Sequence, residues 1–337
     1  MILKTAGDVT AQWLTETLGE PVGLFTTEPV GTGQMGDAFR IRTDSGRTAI
    51  LKVAAADETS RATGLALRIF EVEVRFYQEL AEDLRVPVPQ CFSADVEVDT
   101  GWFTLLMQDM APAVQGDQID GCDLDQVEIA LTALAGLHAS GWERQDIAAK
   151  DWLNRSTPQS IVFTAGLISS LFPGFLERYG DQLTARQTEI CRALIARLPL
   201  YMADRSGPMT VVHGDYRLDN LLFDGERVTV VDWQTATWGP PMVDTSYFLA
   251  CAIADPLVRK ANERQLIGLY HRELGIPDYS FDQCWHDYRR MAFGTLIMAI
   301  ASSMLVERTE RGDRMFLCSV ERACAQVDDL DSLDLLP

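Results

Sequence analysis

The chain has 337 residues, 47% of them hydrophobic, which is enough apolar material for a substantial core divided between two lobes or domains. Its formal net charge of −20, from 29 basic against 49 acidic residues, argues against non-specific nucleic-acid binding and leaves a cationic partner open. Seven cysteines, odd in number and nowhere spaced C-x-x-C, outline neither a disulfide framework nor a zinc site, and reduced thiols in a cytoplasmic compartment fit them best.

Residues 1–20 predict a short helix, with Trp13, Leu14 and Leu18 at helical spacing and Gly19 as its stop. Lys4 and Asp8 interrupt the first residues and no apolar run follows, so no secretory leader is expected. Gly31, Gly33 and Gly36 form a G-x-G-x-x-G string, which by itself suits either a dinucleotide fold or a glycine-rich loop over ATP phosphates. The flanking residues decide. A dinucleotide loop opens a helix, whereas residues 38–42 alternate as a strand and Asp44-Ser45-Gly46 turns into a second strand at 48–53. In a loop between antiparallel strands, glycine lets backbone N–H groups approach phosphate closely. Ile69, Val72, Phe76 and Leu80 then make the apolar stripe of a helix, and Glu73 falls on that inner face. A carboxylate there is costly unless it pairs with a cation or reaches solvent at the stripe's edge. Residues 91–98 and 102–107 predict a hairpin around Asp99-Thr100-Gly101, completing a small five-stranded lobe with one inserted helix.

Beyond Pro112 the pattern becomes helical. Asp123 and Gln126 make a candidate capping box, and Val127, Leu131, Leu134 and His138 share one stripe, which marks His138 as a core histidine. Pro158, Pro173 and Gly174 predict helices broken by loops over 152–178, and Thr184 with Gln187 starts another helix that Pro199 kinks or ends. Long helices are expected over 257–274 and 281–307. The second holds the longest apolar run, 291–306, which falls short of the roughly 20 residues of a membrane span, so it reads as a buried helix and no membrane partner is expected. The tail with Asp328, Asp329, Asp331 and Asp334 is expected to be solvated.

The chemistry concentrates in residues 211–234, VVHGDYRLDNLLFDGERVTVVDWQ. Asp215 can take the proton of an attacking hydroxyl, and Asn220 and Asp232 offer oxygen ligands to Mg²⁺, a hard ion that accompanies nucleotide phosphates. Two short apolar runs around Asp224-Gly225 predict a hairpin that returns Asp232 beside Asn220. The segment reads as a phosphoryl-transfer centre. His213-Gly214-Asp215-Tyr216-Arg217-Leu218-Asp219-Asn220, followed by Asp232, resembles the catalytic loop and metal-binding Asp of the aminoglycoside phosphotransferase and choline-kinase-like families. These are relatives of the protein kinases, whose H-R-D-x-x-x-x-N loop has the same spacing.

The resemblance implies an α+β, two-lobed protein-kinase-like fold. Residues 1–107 would form an N-terminal ATP-binding lobe with a small antiparallel sheet and one helix, 108–112 a hinge, and 113–337 a larger, mostly helical catalytic and substrate-binding lobe. It further implies Asp215 as the base toward the acceptor hydroxyl, Asn220 and Asp232 as Mg²⁺ ligands, and Lys52, partnered by Glu73, on the α and β phosphates. Gly31, Gly33 and Gly36 would cover the phosphates, and main-chain groups of Gln108 and Met110 would read adenine. Arg217 stands where protein kinases place a Lys near the γ-phosphate, and a surface Arg on a loop is equally consistent with the sequence. His213 and Asp244 are implied to be structural. Gly214 replaces the Arg that grips a phosphorylated activation loop, and no A-P-E segment follows Asp232-Trp233-Gln234, so neither activation-loop regulation nor a protein substrate is expected.

The expected activity is transfer of the γ-phosphate of ATP, with Mg²⁺, to a hydroxyl of a small molecule. The alternative is a kinase-fold nucleotide-binding protein without transfer, which the presence of Lys52, Asp215 and Asp232 disfavours. An aminoglycoside acceptor calls for carboxylates such as Asp255, Asp278, Asp282 or Asp287, and a choline-like amine for aromatic walls such as Trp142, Trp238, Trp285 or Tyr288. An uncharged alcohol needs neither. The residues around Trp233 and Trp238-Gly239-Pro240-Pro241 resemble the ecdysteroid-kinase-like branch more than the resistance enzymes.

Overall fold

A computed structural model of the chain describes residues 1–31, 36–204 and 206–337, so Gly33 of the glycine string lies outside the described residues. These residues divide into two units. Unit 1 comprises Met1–Val114, Lys150–Asn154 and Thr229–Ala236, and unit 2 comprises Gln115–Ala149, Arg155–Val228 and Thr237–Pro337.

Unit 1 opens with helix α1 (Ala11–Leu18), which Thr10 caps by accepting the Trp13 N–H at 3.1 Å and Gly19 closes at φ 71°. Strands β1 (Phe25–Pro29), β2 (Gly36–Thr43) and β3 (Thr48–Ala54) precede helices α2 (Glu58–Ala66) and α3 (Ile69–Glu79), and β4 (Cys91–Glu97) and β5 (Trp102–Gln108) follow. The strands form one sheet in the order β1-β2-β3-β5-β4, antiparallel throughout. Alternation puts Ile41, Leu51 and Val53 into a core with Trp13, Leu14 and Leu106. The helix expected after β3 is preceded by a second: Asp57 caps α2 through the Ser60 N–H at 2.7 Å, and Arg68, left-handed at φ 59°, separates α2 from α3. Only Gly64 of α2 is buried, so no apolar stripe announces it.

After the two-residue strand β6 (Val114–Gln115), the chain forms α4 (Leu124–Gly141), α5 (Gln145–Ala148), β7 (Asn154–Arg155), α6 (Pro158–Tyr179) and α7 (Ala185–Ala203). Strands β8 (Thr210–Val212), β9 (Leu221–Asp224), β10 (Arg227–Val230) and β11 (Thr237–Gly239) come next, then helices α8 (Met242–Ala252), α9 (Pro256–Leu274), α10 (Phe281–Arg290), α11 (Gly294–Leu305) and α12 (Glu310–Asp329). The expected hairpin forms, β9 and β10 being neighbours across a turn in which Gly225 has φ 58°.

Three expectations for the helices change. First, α6 is unbroken despite Pro173, and α7 runs through Pro199. An interior proline costs about 3 kcal/mol, whereas each fully buried large apolar side chain returns about 1.5–3 kcal/mol, and α6 buries Ile168, Phe172, Phe175 and Tyr179 on one face. The same helix, continued to Gln182, is among the described residues the one long and apolar enough by length and composition to cross a membrane; here it packs along α7 and α11. Second, 281–307 is two helices: α10 ends at Arg290 and α11 starts at Gly294, and the Met291 carbonyl between them accepts from the Gly294 N–H at 3.4 Å and lies 2.8 Å from Ser246 Oγ on α8. Third, one acid of the tail is drawn in: Asp328, Asp331 and Asp334 are exposed as expected, whereas Asp329 is half-buried and pairs with Arg259 at 2.5 Å and Lys260 at 2.8 Å.

Strand β8, which leads into the segment from His213 to Asn220, is held on α4 by Thr210 Oγ1, which donates to the His138 carbonyl at 2.8 Å. At Gly141 the two elements nearly touch, and a Cβ there would stand 2.8 Å from Thr210 Oγ1 and 3.2 Å from the Val211 nitrogen. A helical Gly→Ala change ordinarily stabilises by about 0.5–1 kcal/mol, but the bonded threonine and the backbone cannot retreat here. Gly141→Ala is therefore expected to destabilise the protein by about 1–3 kcal/mol in urea unfolding. A gain in stability would show that α4 and β8 are not this close.

Candidate active site

In unit 1 the charged groups gather on Lys52. Strand β3 carries it between Ala38 of β2 and Leu105 of β5. Its Nζ lies 2.6 Å from Glu73 Oε1 and 3.1 Å from Asp232 Oδ1. Glu73 is 4% exposed, so of its two possible fates the ion pair is the one realised. Burial alone would push the Lys52 pKa down, but the carboxylates of Asp232 and Glu73 hold it above the ordinary lysine value. Burial pushes the Glu73 carboxyl up, Lys52 opposes this, and the Trp233 backbone donates to it.

Asp232 has φ 70° and ψ 62°, a left-handed conformation that a non-glycine residue adopts at a cost of about 1–2 kcal/mol. The surroundings impose it. Gln234 Nε2 donates to its Oδ2 at 3.2 Å, and the adjacent Trp233 ring stacks on Phe76 with centroids 3.7 Å apart and planes 6° from parallel. Helix α3 thus supplies both Glu73 and, three residues on, Phe76. Of the glycines, Gly31 has φ 76° and Gly36 starts β2 with its Cα hydrogen facing the Val53 carbonyl, where a Cβ would stand 3.1 Å away. At the segment expected to read adenine, the Gln108 N–H donates to the Gln90 carbonyl at 2.8 Å and the Met110 carbonyl accepts from Ala113 at 2.8 Å, while the Met110 N–H has no partner among the described residues.

Unit 2 holds the loop from His213 to Asn220. Asp244, buried in the first turn of α8, accepts from the His213 N–H at 2.6 Å and the Gly214 N–H at 2.9 Å. Behind it His138, fully buried, places Nε2 3.4 Å from Asp244 and Nδ1 2.7 Å from the Tyr270 hydroxyl, as a satisfied core histidine does. His213 Nδ1 accepts from the Asp215 N–H at 3.2 Å, which fits a supporting role. The Asp215 carboxylate is then met by three donors: Arg217 Nε at 3.1 Å and Asn220 Nδ2 at 3.0 Å on Oδ2, and the Tyr247 hydroxyl at 3.0 Å on Oδ1. Asn220 Nδ2 also donates to the Asp215 carbonyl at 2.9 Å, which leaves its amide oxygen for a cation.

Arg217 is not a free surface arginine, because its guanidinium pairs with Asp215 and Asp219. Asp219 in turn accepts from the Gln118 N–H at 3.0 Å. Tyr247 and Asp219 were not singled out by the sequence reading. The available signal was helical spacing, Tyr247 lying three residues beyond Asp244 on α8.

The residues considered for a cationic acceptor are mostly committed elsewhere. Asp255 caps α9 through the Leu257 N–H at 2.8 Å, and Asp287 is buried beside Tyr279 at 3.0 Å and Arg290 at 3.5 Å. Trp142 packs on Tyr279, Trp238 is buried in β11, Trp285 packs between Phe281 and Tyr288, and Tyr288 donates to Glu263 at 2.5 Å. Asp278 and Asp282 are exposed.

Among the described residues no group of three His, Cys, Asp or Glu side chains could hold a metal. Mg²⁺ at a nucleotide asks for less, one or two protein oxygens with the remainder from phosphates and water, and the free amide oxygen of Asn220 and the Asp232 carboxylate are donors of that kind.

A five-stranded antiparallel sheet with a lysine–glutamate pair, and a mostly helical unit with a supported Asp-x-x-x-x-Asn loop, together define a protein-kinase-like α+β protein. Residues 26–280 match the phosphotransferase enzyme family, and the chain belongs to it. It is 38% identical over 81 residues to mouse acyl-CoA dehydrogenase family member 10; the match spans 22% of this chain and 8% of that protein. Among solved structures, a candidate aminoglycoside phosphotransferase from Ralstonia eutropha JMP134 shares the fold with a TM-score of 0.59 at 18% identity, over 95% of this chain and 97% of that one. A streptomycin–ATP ternary complex of an aminoglycoside phosphotransferase does so with a TM-score of 0.54 at 14% identity, over 90% and 95% of the two chains.

Asp244 receives the buried His213 N–H and the part-buried Gly214 N–H. Asp244→Ala is expected to destabilise the protein by about 1–3 kcal/mol or more in urea unfolding, and Asp244→Asn, which keeps one acceptor, by less. Equal stability of Asp244→Ala and wild type would mean that the loop does not rest on this carboxylate.

Proposed function

We propose that the protein transfers the γ-phosphate of ATP to a hydroxyl of a small, uncharged molecule. The observation that carries this reading is the Lys52 ammonium lodged between Glu73 and Asp232, a cation held in place with one proton still to donate. Membership of the phosphotransferase family and the ATP in the ternary complex of a fold relative support the choice of co-substrate. The burial of Asp287 and the packing of Trp142, Trp238, Trp285 and Tyr288 against other side chains support an uncharged acceptor over a quaternary amine.

Lys52 would bind the α and β phosphates, with the loop at Gly31 and Gly36 over them and the Met110 N–H against adenine. Asn220 and Asp232 are the residues proposed to hold Mg²⁺, which when bound draws charge from the phosphate oxygens. Asp215 would hold the acceptor by its hydroxyl proton. As the hydroxyl oxygen bonds to the γ-phosphorus, the bond from that phosphorus to the bridging oxygen of ADP breaks, its electron pair leaves on ADP, and the hydroxyl proton passes to Asp215. Arg217 would steady Asp215 more than it touches phosphate, since Asp215 and Asp219 occupy its guanidinium.

The test is thermal stabilisation by ATP with and without Mg²⁺, followed by ADP release against a panel of alcohols. Asp215→Asn should reduce ADP release by about 10²–10⁴-fold while ATP still stabilises the protein. Stabilisation by ATP with no acceptor raising ADP release, and no effect of Asp215→Asn, would instead identify a nucleotide-binding protein without transfer.

A further inference from the structure

Resting on that reading, we propose that Tyr247 is a positioning residue for the transfer step, one that holds Asp215 so that Oδ1 and not Oδ2 receives the acceptor's proton. An ionised carboxylate oxygen accepts about two hydrogen bonds in its plane. Oδ2 already has two, from Arg217 Nε at 3.1 Å and Asn220 Nδ2 at 3.0 Å. Oδ1 has one, from the Tyr247 hydroxyl at 3.0 Å, and keeps one position open. An acceptor hydroxyl that is to donate to Asp215 must therefore come to Oδ1, beside the phenol.

Helix α8 builds this arrangement from two residues three apart. Asp244 grips the loop backbone at His213 and Gly214, and Tyr247 grips the side chain of Asp215. A second element steadies the tyrosine, as Thr295 Oγ1 of α11 donates to its carbonyl at 3.5 Å. Val243 and Tyr247 are partly exposed while the positions around them on α8 are buried, so this is the face of the helix that an acceptor can reach. Burial, reinforced by the Asp215 charge, pushes the phenol pKa well above its ordinary value, so the hydroxyl remains a donor to the carboxylate. In the step itself the acceptor oxygen bonds to the γ-phosphorus, ADP leaves with the electron pair of its bridging oxygen, and the proton moves to Oδ1; Tyr247 keeps its own proton throughout.

The experiment needs no known acceptor, because water can take its place in the intrinsic hydrolysis of MgATP. Tyr247→Phe preserves the ring and its packing and removes one donor to a charged oxygen. It should lower the hydrolysis kcat about 10- to 100-fold, with the affinity for MgATP, read by fluorescent ADP displacement, within about 2-fold of wild type. The second arm is a double-mutant cycle: Tyr247→Phe added to Asp215→Asn should cost nothing further, since the phenol acts only through that carboxylate. Wild-type kcat in Tyr247→Phe, a full additional loss in the double variant, or a loss explained by weaker MgATP binding would each overturn the proposal. Wild-type hydrolysis in Asp215→Asn would instead overturn the assignment of the base, a separate failure.

Discussion

The ammonium of Lys52 between two carboxylates is the constraint on which unit 1 depends. Glu73 sits on the apolar face of α3 at 4% exposure, and an uncompensated charge there would cost several kcal/mol. Lys52 at 2.6 Å supplies the compensation, and by also reaching Asp232 at 3.1 Å it ties strand β3, helix α3 and the segment after β10 to one point. The stack of Trp233 on Phe76, one helical turn along α3 from Glu73, adds an apolar clasp to the charged one. With the bond from Gln234, these contacts surround Asp232, which keeps a left-handed conformation.

Unit 2 solves the corresponding problem with a buried polar chain. Tyr270, His138 and Asp244 lead from α9 through α4 to the first turn of α8, and Asp244 passes the order on to the His213 and Gly214 backbone. The links from Tyr270 to the His213 N–H are buried, and a buried polar network of this kind is rigid when complete and costly when broken. The two histidines near the loop are explained by this support. His138 and His213 serve as struts in it.

Much of this was legible in the residues, for reasons that can be named. Alternation over residues 38–42 marked β2, the turns at 44–46 and 99–101 marked β3 and the β4–β5 hairpin, and the oxygen chemistry of Asp215, Asn220 and Asp232 marked the candidate site. The inner-face position of Glu73 called for a cation or for solvent, and the resemblance pointed to Lys52 as that cation. What escaped the sequence depended on tertiary contact. Helix α2 buries one glycine and has no stripe to read. Pro173 and Pro199 look like helix breakers, yet the cost of each is smaller than the burial on the helix face around it. The division between α10 and α11 falls at residues 291–293, where the Met291 carbonyl lies 2.8 Å from Ser246 Oγ, 45 residues away in the chain, and the apolar run across it gives no local sign. Tyr247 escaped for the same reason, since its meaning lies in its distance to Asp215 and not in its neighbours along the chain.

The central claim is that Lys52, fixed by Glu73 and Asp232, is held there for a nucleotide phosphate. Isothermal titration of Lys52→Met with MgADP tests it most directly, because the side chain keeps similar bulk and loses only the charge. The account predicts that affinity falls about 10- to 100-fold relative to wild type, with the protein still folded by circular dichroism. Equal affinity in the two proteins would contradict it.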